Sequence, residues 1–133
     1  MIKDYNKTLK QFEKELKTAE KSGDLPAKVN ALSNLGMTYD VIGNYDEALK
    51  QYKEALKIEE KLENLSGKVI RHNNIGMVYE AKGNYDRALE QYEKALKLNE
   101  QLGDLWSKAT VLNNIGMIHK IQGNYLDAYK WYE

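Results

Sequence analysis

Apolar residues recur along most of the chain at the three- and four-residue spacing of one helical face. Over residues 4–22 this face consists of Tyr5, Leu9, Phe12 and Leu16, and similar stripes follow in every later segment. Glycine followed by Asn or Asp interrupts the pattern at intervals. Glycine favours the left-handed backbone that ends a helix, and Asn or Asp caps the next one. The pattern therefore predicts an all-α chain of helices joined by short turns.

The helical pattern repeats every 40 residues. Gly36, Gly76 and Gly116 share one register, and each is followed directly by Met. A Gly-Asn-Tyr turn follows each of them at Gly43, Gly83 and Gly123. A fixed period of this length indicates stacked helix pairs in which each pair buries its apolar face against its neighbours.

The period organises residues 1–133 as one array. In repeat register, Tyr5 matches Tyr45 and Phe12 matches Tyr52, so the chain begins with a second helix that lacks its first. The predicted units are an orphan second helix at 4–22, a first repeat at 25–62, a second at 65–102 and a truncated third at 105–133. In the third repeat, a new helix is expected to begin after Gly123 and to stop at the end of the chain.

The mid-helix glycines predict close contact between the two helices of a pair. A glycine inside a helix costs about 1 kcal/mol relative to alanine. The recurrence of that cost at Gly36, Gly76 and Gly116 suggests that a side chain at these positions would collide with the facing helix.

The two ends of the array leave two interpretations open. An array interrupted within a helix lacks the polar outer face that a terminal repeat needs for solubility. Either the chain is part of a longer protein, or its end helices pack against another copy through stacking or exchange. In either case the sequence predicts self-association into a homo-oligomer.

Composition excludes several functional classes. The chain has 20 basic and 20 acidic residues and no cysteine. This balance argues against a nucleic-acid or membrane-surface protein, and the lack of cysteine fits a cytoplasmic setting. No apolar run is long enough to span a membrane, and no signal peptide is evident.

His72 and His119 fall at packing positions, and the carboxylates are expected to lie in surface charge patterns. We therefore predict no enzyme activity, no metal and no cofactor.

The repeats resemble the tetratricopeptide repeat. The first-helix signature of this family is met at Leu32, Leu35, Gly36 and Tyr39, and again at His72, Ile75, Gly76 and Tyr79. The second-helix signature is met at Ala48, Tyr52 and Ala55, and again at Ala88, Tyr92 and Ala95. The 40-residue form without a closing proline is similar to the repeats of Leu-Gly-Asn spindle-orientation adaptors, kinesin light chains and bacterial peptide-sensing regulators.

The resemblance implies a right-handed superhelical α-solenoid of antiparallel helix pairs, whose first helices line a concave groove. It also implies a protein–protein interaction scaffold that binds a peptide or partner segment in this groove. Two alternatives remain: a self-assembly module that acts through the incomplete end repeats, or a sensor or regulatory segment of a larger signalling enzyme.

Spacing places Asn and Met residues on the helical face that remains outside the Gly-Tyr packing stripe, because residues three, four and seven apart share one side. The candidate peptide-binding residues are Asn34, Asn73, Asn74, Met77, Asn113, Asn114 and Met117, with Met37 in the same row. Asn can pair with a peptide backbone, and Met suits adaptable apolar contact. Two structural roles compete with binding: Asn34, Asn74 and Asn114 could tie neighbouring helices together, and the Met row could be buried between repeats.

Overall fold

The computed structural model describes residues 4–131, with side chains described as far as residue 123, and consists of a row of α-helices. The helices are α1 Tyr5–Ser22, α2 Leu25–Ile42, α3 Tyr45–Lys61, α4 Leu65–Ala81, α5 Tyr85–Leu102 and α6 Leu105–Trp131. Each helix packs against the next, and α4 also contacts α6. The described residues contain no β-strand. The fold is the all-α solenoid of helix pairs that the sequence predicts.

Asn or Asp side chains begin the helices, and glycine ends several of them. Asp24 accepts a hydrogen bond from the Ala27 backbone N–H at 3.1 Å, and Asn64 accepts one from Gly67 at 3.1 Å. Gly43 has φ +93°, a left-handed conformation that other residues adopt at a cost. These local signals set the bounds of α2.

Tyrosine rings pack directly on the mid-helix glycines. A Cβ atom on Gly36 would lie 2.7 Å from Cε1 of Tyr52, and one on Gly76 would lie 2.5 Å from Cε1 of Tyr92. The alanines beside these tyrosines are completely buried at Ala48, Ala55, Ala88 and Ala95. The close approach of the two helices that the glycines predict is therefore confirmed in the first two repeats.

The third repeat differs from the sequence prediction, because α6 runs without a break from Leu105 through Gly123 to Trp131. The expected second helix after Gly123 is instead a continuation of the first. After the turns at Gly43 and Gly83, the chain returns as a helix whose tyrosine packs on the preceding helix. Tyr52 packs on Gly36, and Tyr92 packs on Gly76. No described heavy atom packs on Gly116 in this way, and among the described residues the helix keeps the intrahelical hydrogen bonds that a turn would break. Residues 132 and 133 lie outside the described part of the chain.

One carboxylate lies in the interior, contrary to the prediction that all lie in surface charge patterns. Glu59 is 1% exposed, and Nε of Arg71 donates a hydrogen bond to its Oε1 at 2.8 Å. Gly67 makes room for it, since a Cβ there would collide with the Glu59 carboxylate. Burial raises the pKa of Glu59, and the Arg71 guanidinium opposes this shift. The sequence missed this ion pair because 12 residues separate its members.

None of the helices in the described region is long and apolar enough to cross a membrane.

Candidate binding surface

The methionine row lies on the surface. Met37, Met77 and Met117 are 57%, 46% and 48% exposed, and they come from α2, α4 and α6. Exposure of the same register position in three successive first helices rules out the interpretation that the row is buried between repeats. We call this surface the Asn–Met face and define it as Asn34, Met37, Asn73, Asn74, Met77, Asn113, Asn114 and Met117.

Two of the candidate amides join neighbouring helices. Nδ2 of Asn114 donates a hydrogen bond to Oδ1 of Asn73 at 2.9 Å, which links α6 to α4. The Asn73 amide in turn donates to the Met77 sulfur at 3.8 Å, a weak interaction. Asn114 therefore has the structural role that competed with binding. Its remaining amide oxygen and the second N–H of Asn73 are still capable of pairing with a ligand.

The other amides differ in exposure. Asn34 and Asn74 are half-buried, and Asn113 is exposed. Within the described residues, no intramolecular hydrogen bond of the Asn74 or Asn113 side chain is seen. An amide that keeps both its donors and its acceptor can pair with a peptide backbone irrespective of the peptide sequence.

A groove of 380 Å³ opens between α4 and α6 beside this face. Ile70, Asn73, Trp106 and Thr110 are among its lining residues. Trp106 is 82% exposed. Large aromatic residues are enriched at protein–protein interfaces relative to the rest of the surface. The sequence prediction missed Trp106. Comparison of the repeats could have identified it, because the first two repeats have Pro26 and Ser66 at the position of this tryptophan.

A second depression of 390 Å³ lies at the other end of the face, between α1 and α2. Its lining includes Tyr5, Thr8, Met37 and Val41, and Val41 is 60% exposed. The Met row therefore runs from one apolar depression towards the other. Such a strip can accommodate a chain segment that places apolar side chains at both ends.

A carboxylate at the edge of the face is held by one of the packing tyrosines. The Tyr92 hydroxyl donates a hydrogen bond to Oε1 of Glu80 at 2.9 Å. Burial raises the pKa of Tyr92, and Glu80 raises it further. In the first repeat, burial and the charge of Asp40 raise the pKa of Tyr52 to about 12. Burial also raises the pKa of Asp40. Both tyrosines therefore stay neutral donors at neutral pH, and Tyr92 fixes the carboxylate of Glu80.

The histidines and carboxylates do not gather into a metal site in the part of the chain that the structure describes. His72 is buried, and its Nδ1 lies 2.8 Å from Oε1 of Gln91, which fits an N–H donated to the amide oxygen. His119 is exposed, unlike its buried register partner Tyr79. The packing role predicted for the histidines therefore holds for His72.

Two comparisons with known proteins agree with this architecture. The family model described as Tetratricopeptide repeat matches residues 2–61 and 69–133. Among solved structures, the crystal structure of the apo form of RapI is similar, with a TM-score of 0.78 and 24% sequence identity. The match covers 96% of this chain and 49% of the RapI chain, so this chain spans about half the length of RapI. At this identity the likeness concerns the fold alone. No curated protein matches the sequence.

Proposed function

Because the chain belongs to the tetratricopeptide-repeat family, we propose that it is a non-catalytic protein–protein interaction scaffold whose Asn–Met face binds an extended peptide segment of a partner protein. The observation that carries this proposal is the row of half-exposed methionines, Met37, Met77 and Met117, at one register in three successive first helices. Exposed apolar residues that recur in a line are typical of a surface that a partner covers.

The chemistry of the face suits a peptide main chain with apolar side chains. The amides of Asn74 and Asn113 offer donors and acceptors to peptide N–H and C=O groups, and each such hydrogen bond contributes about 1 kcal/mol net. Methionine is unbranched and polarizable, and so adapts to side chains of different shape. Trp106 and Ile70 add a larger apolar contact at one end of the strip.

The charge and composition of the chain support a protein ligand. The formal net charge is zero, so the chain has no general attraction for polyanions such as nucleic acid or acidic lipid. The proposal includes a cytoplasmic setting, which the cysteine-free composition supports.

The proposal predicts that a random peptide library displayed on phage yields binders on the immobilised chain. The discriminating variant replaces Met37, Met77 and Met117 by Gln, which keeps side-chain length and charge but removes apolar surface. We expect synthetic versions of the selected peptides to lose more than about tenfold in affinity for this variant. Binding is followed by Trp106 fluorescence in chains that carry Trp131→Phe.

The matched control carries Glu54→Gln and Lys57→Gln on the exposed face of α3. We expect this control to bind as the parent does, and all variants to retain helical circular dichroism, because the three methionines are not core residues. Equal affinity for the parent and the methionine variant would contradict the proposal, as would a library selection that enriches no peptide.

A further inference from the structure

Among the described residues, no aromatic ring covers the face of α6 around Gly116, whereas a tyrosine ring covers each of its counterparts. Gly36 is packed by Tyr52 and Gly76 by Tyr92, whereas no described heavy atom would lie within 4 Å of a Cβ at Gly116. The three glycines occupy the same repeat register. In the first two repeats a tyrosine from the second helix therefore covers the glycine, and no described residue does so in the third.

The residues around Gly116 are more exposed than their register partners. Leu112 is 47% exposed, while Leu32 and His72 are 0% and 9% exposed. Gly116 itself is exposed, whereas Gly36 and Gly76 are buried. We call Leu112, Ile115, Gly116 and His119 the Gly116 face. Its shape fits an α-helix that carries an aromatic residue in the register of Tyr52 and Tyr92.

The sequence of such a helix is present in this chain. Tyr125, Ala128 and Tyr132 follow Tyr85, Ala88 and Tyr92 by 40 residues each. In the structure, however, α6 continues through Gly123 to Trp131. Ala128 lies 12 residues beyond Gly116 along one helix, a distance of about 18 Å at the rise of an α-helix. The segment 125–131 therefore cannot cover the Gly116 face of its own chain while α6 is continuous; Tyr132 lies outside the described residues.

We infer that the Gly116 face binds residues 125–132 of a second copy, and that the two copies exchange these segments reciprocally. Each copy then supplies the aromatic residue that the other lacks. Exchange of identical elements closes a two-fold dimer with the same contacts on both sides, which limits assembly to two chains. The Asn–Met face takes no part in this contact, so the inference does not depend on the proposed peptide binding.

The absence of cysteine from the sequence permits a direct test by site-specific cross-linking. One chain carries Leu112→Cys, a second carries Tyr132→Cys, and the two are mixed with a short bis-maleimide. We expect a covalent heterodimer in the mixture, well above the yield from Lys57→Cys mixed with Tyr132→Cys, which reports random collision. A mixture that gives no more heterodimer than this control would overturn the inference.

The same experiment on one chain that carries both cysteines identifies the competing arrangement. If residues 125–132 fold back on their own chain, the double variant cross-links within the monomer even at high dilution, and this result would also overturn the inference. Exchange predicts instead that the cross-linked species has the mass of two chains.

Sedimentation equilibrium of the full chain provides a second measurement. The Gly116→Ala substitution places a methyl group where an incoming ring would lie, as at Gly76. We expect it to weaken dimerisation by at least about tenfold without unfolding the monomer. A dissociation constant that Gly116→Ala leaves unchanged, or a parent chain that remains monomeric at every concentration, would count against exchange.

Discussion

The Arg71→Met substitution is expected to lower the free energy of unfolding at neutral pH by about 3–5 kcal/mol. Glu59 is 1% exposed, and Arg71 Nε donates to its carboxylate at 2.8 Å. Methionine retains most of the apolar stem of Arg71 but leaves the carboxylate without a counter-charge. A buried ionised group without a partner is among the most costly defects in a protein interior.

The pH dependence of this loss follows from the pKa of Glu59. Burial raises this pKa in the folded protein, and the opposing effect of Arg71 disappears in the variant. A carboxyl group whose folded pKa is raised favours folding below its ordinary pKa, and this contribution is lost as pH rises through the folded value. The deficit of Arg71→Met should therefore shrink as pH falls from neutral to about 5.

Urea unfolding across this pH range measures the effect. The control is the double variant Glu59→Gln/Arg71→Met, in which the site carries no charge and should add no pH dependence of its own. If Arg71→Met loses the same free energy at both ends of the range, the buried carboxylate is not the cause of the instability.

Alanine at Gly76 is expected to destabilise the fold by about 1–3 kcal/mol, whereas alanine at Gly116 is expected to stabilise the monomer by about 1 kcal/mol. A Cβ at Gly76 would lie 2.5 Å from the Tyr92 ring, which is completely buried and whose hydroxyl is bound to Glu80. The ring therefore has little room to move. At Gly116 no described atom opposes the new methyl group, so only the higher helix propensity of alanine remains.

Thermal and urea unfolding measure the stability of the Gly76→Ala and Gly116→Ala variants. The concentrations are low enough to keep the chain monomeric, so the same substitution is compared at equivalent positions of two repeats. Opposite signs of the stability change are the expected outcome. Equal destabilisation at both positions would show that Gly116 is packed as Gly76 is, and would remove the premise of the exposed face on α6.

Much of the fold can be predicted from the sequence because the signals are local and occur more than once. The Gly-Asn turns, the capping residues and the apolar stripes each define a helix within about 20 residues of chain. The position of Gly76 beneath a tyrosine follows from the same repetition, since a glycine that recurs in mid-helix needs a steric reason. The exposure of Met77 and Met117 was one of two alternatives that the sequence left open, because burial between repeats depends on how closely neighbouring first helices pack.

The features that the sequence did not predict depend on contacts between distant residues. Glu59 looks like any surface carboxylate until its neighbours Arg71 and Gly67 are brought beside it by packing. Gly123 begins the same Gly-Asn-Tyr sequence as Gly43, yet α6 continues through it and no described heavy atom packs on Gly116. Asn73 and Asn114 were predicted to share a face, but the hydrogen bond between them depends on the distance between α4 and α6.

Peptide binding at the Asn–Met face is tested most directly by ¹³C-methyl NMR of the four methionines during titration with a library-selected peptide. Met37, Met77 and Met117 should all shift or broaden. The account predicts saturable changes at these three methyl groups with the affinity measured by Trp106 fluorescence. A peptide that binds with this affinity but leaves all three methyl resonances unchanged would contradict it.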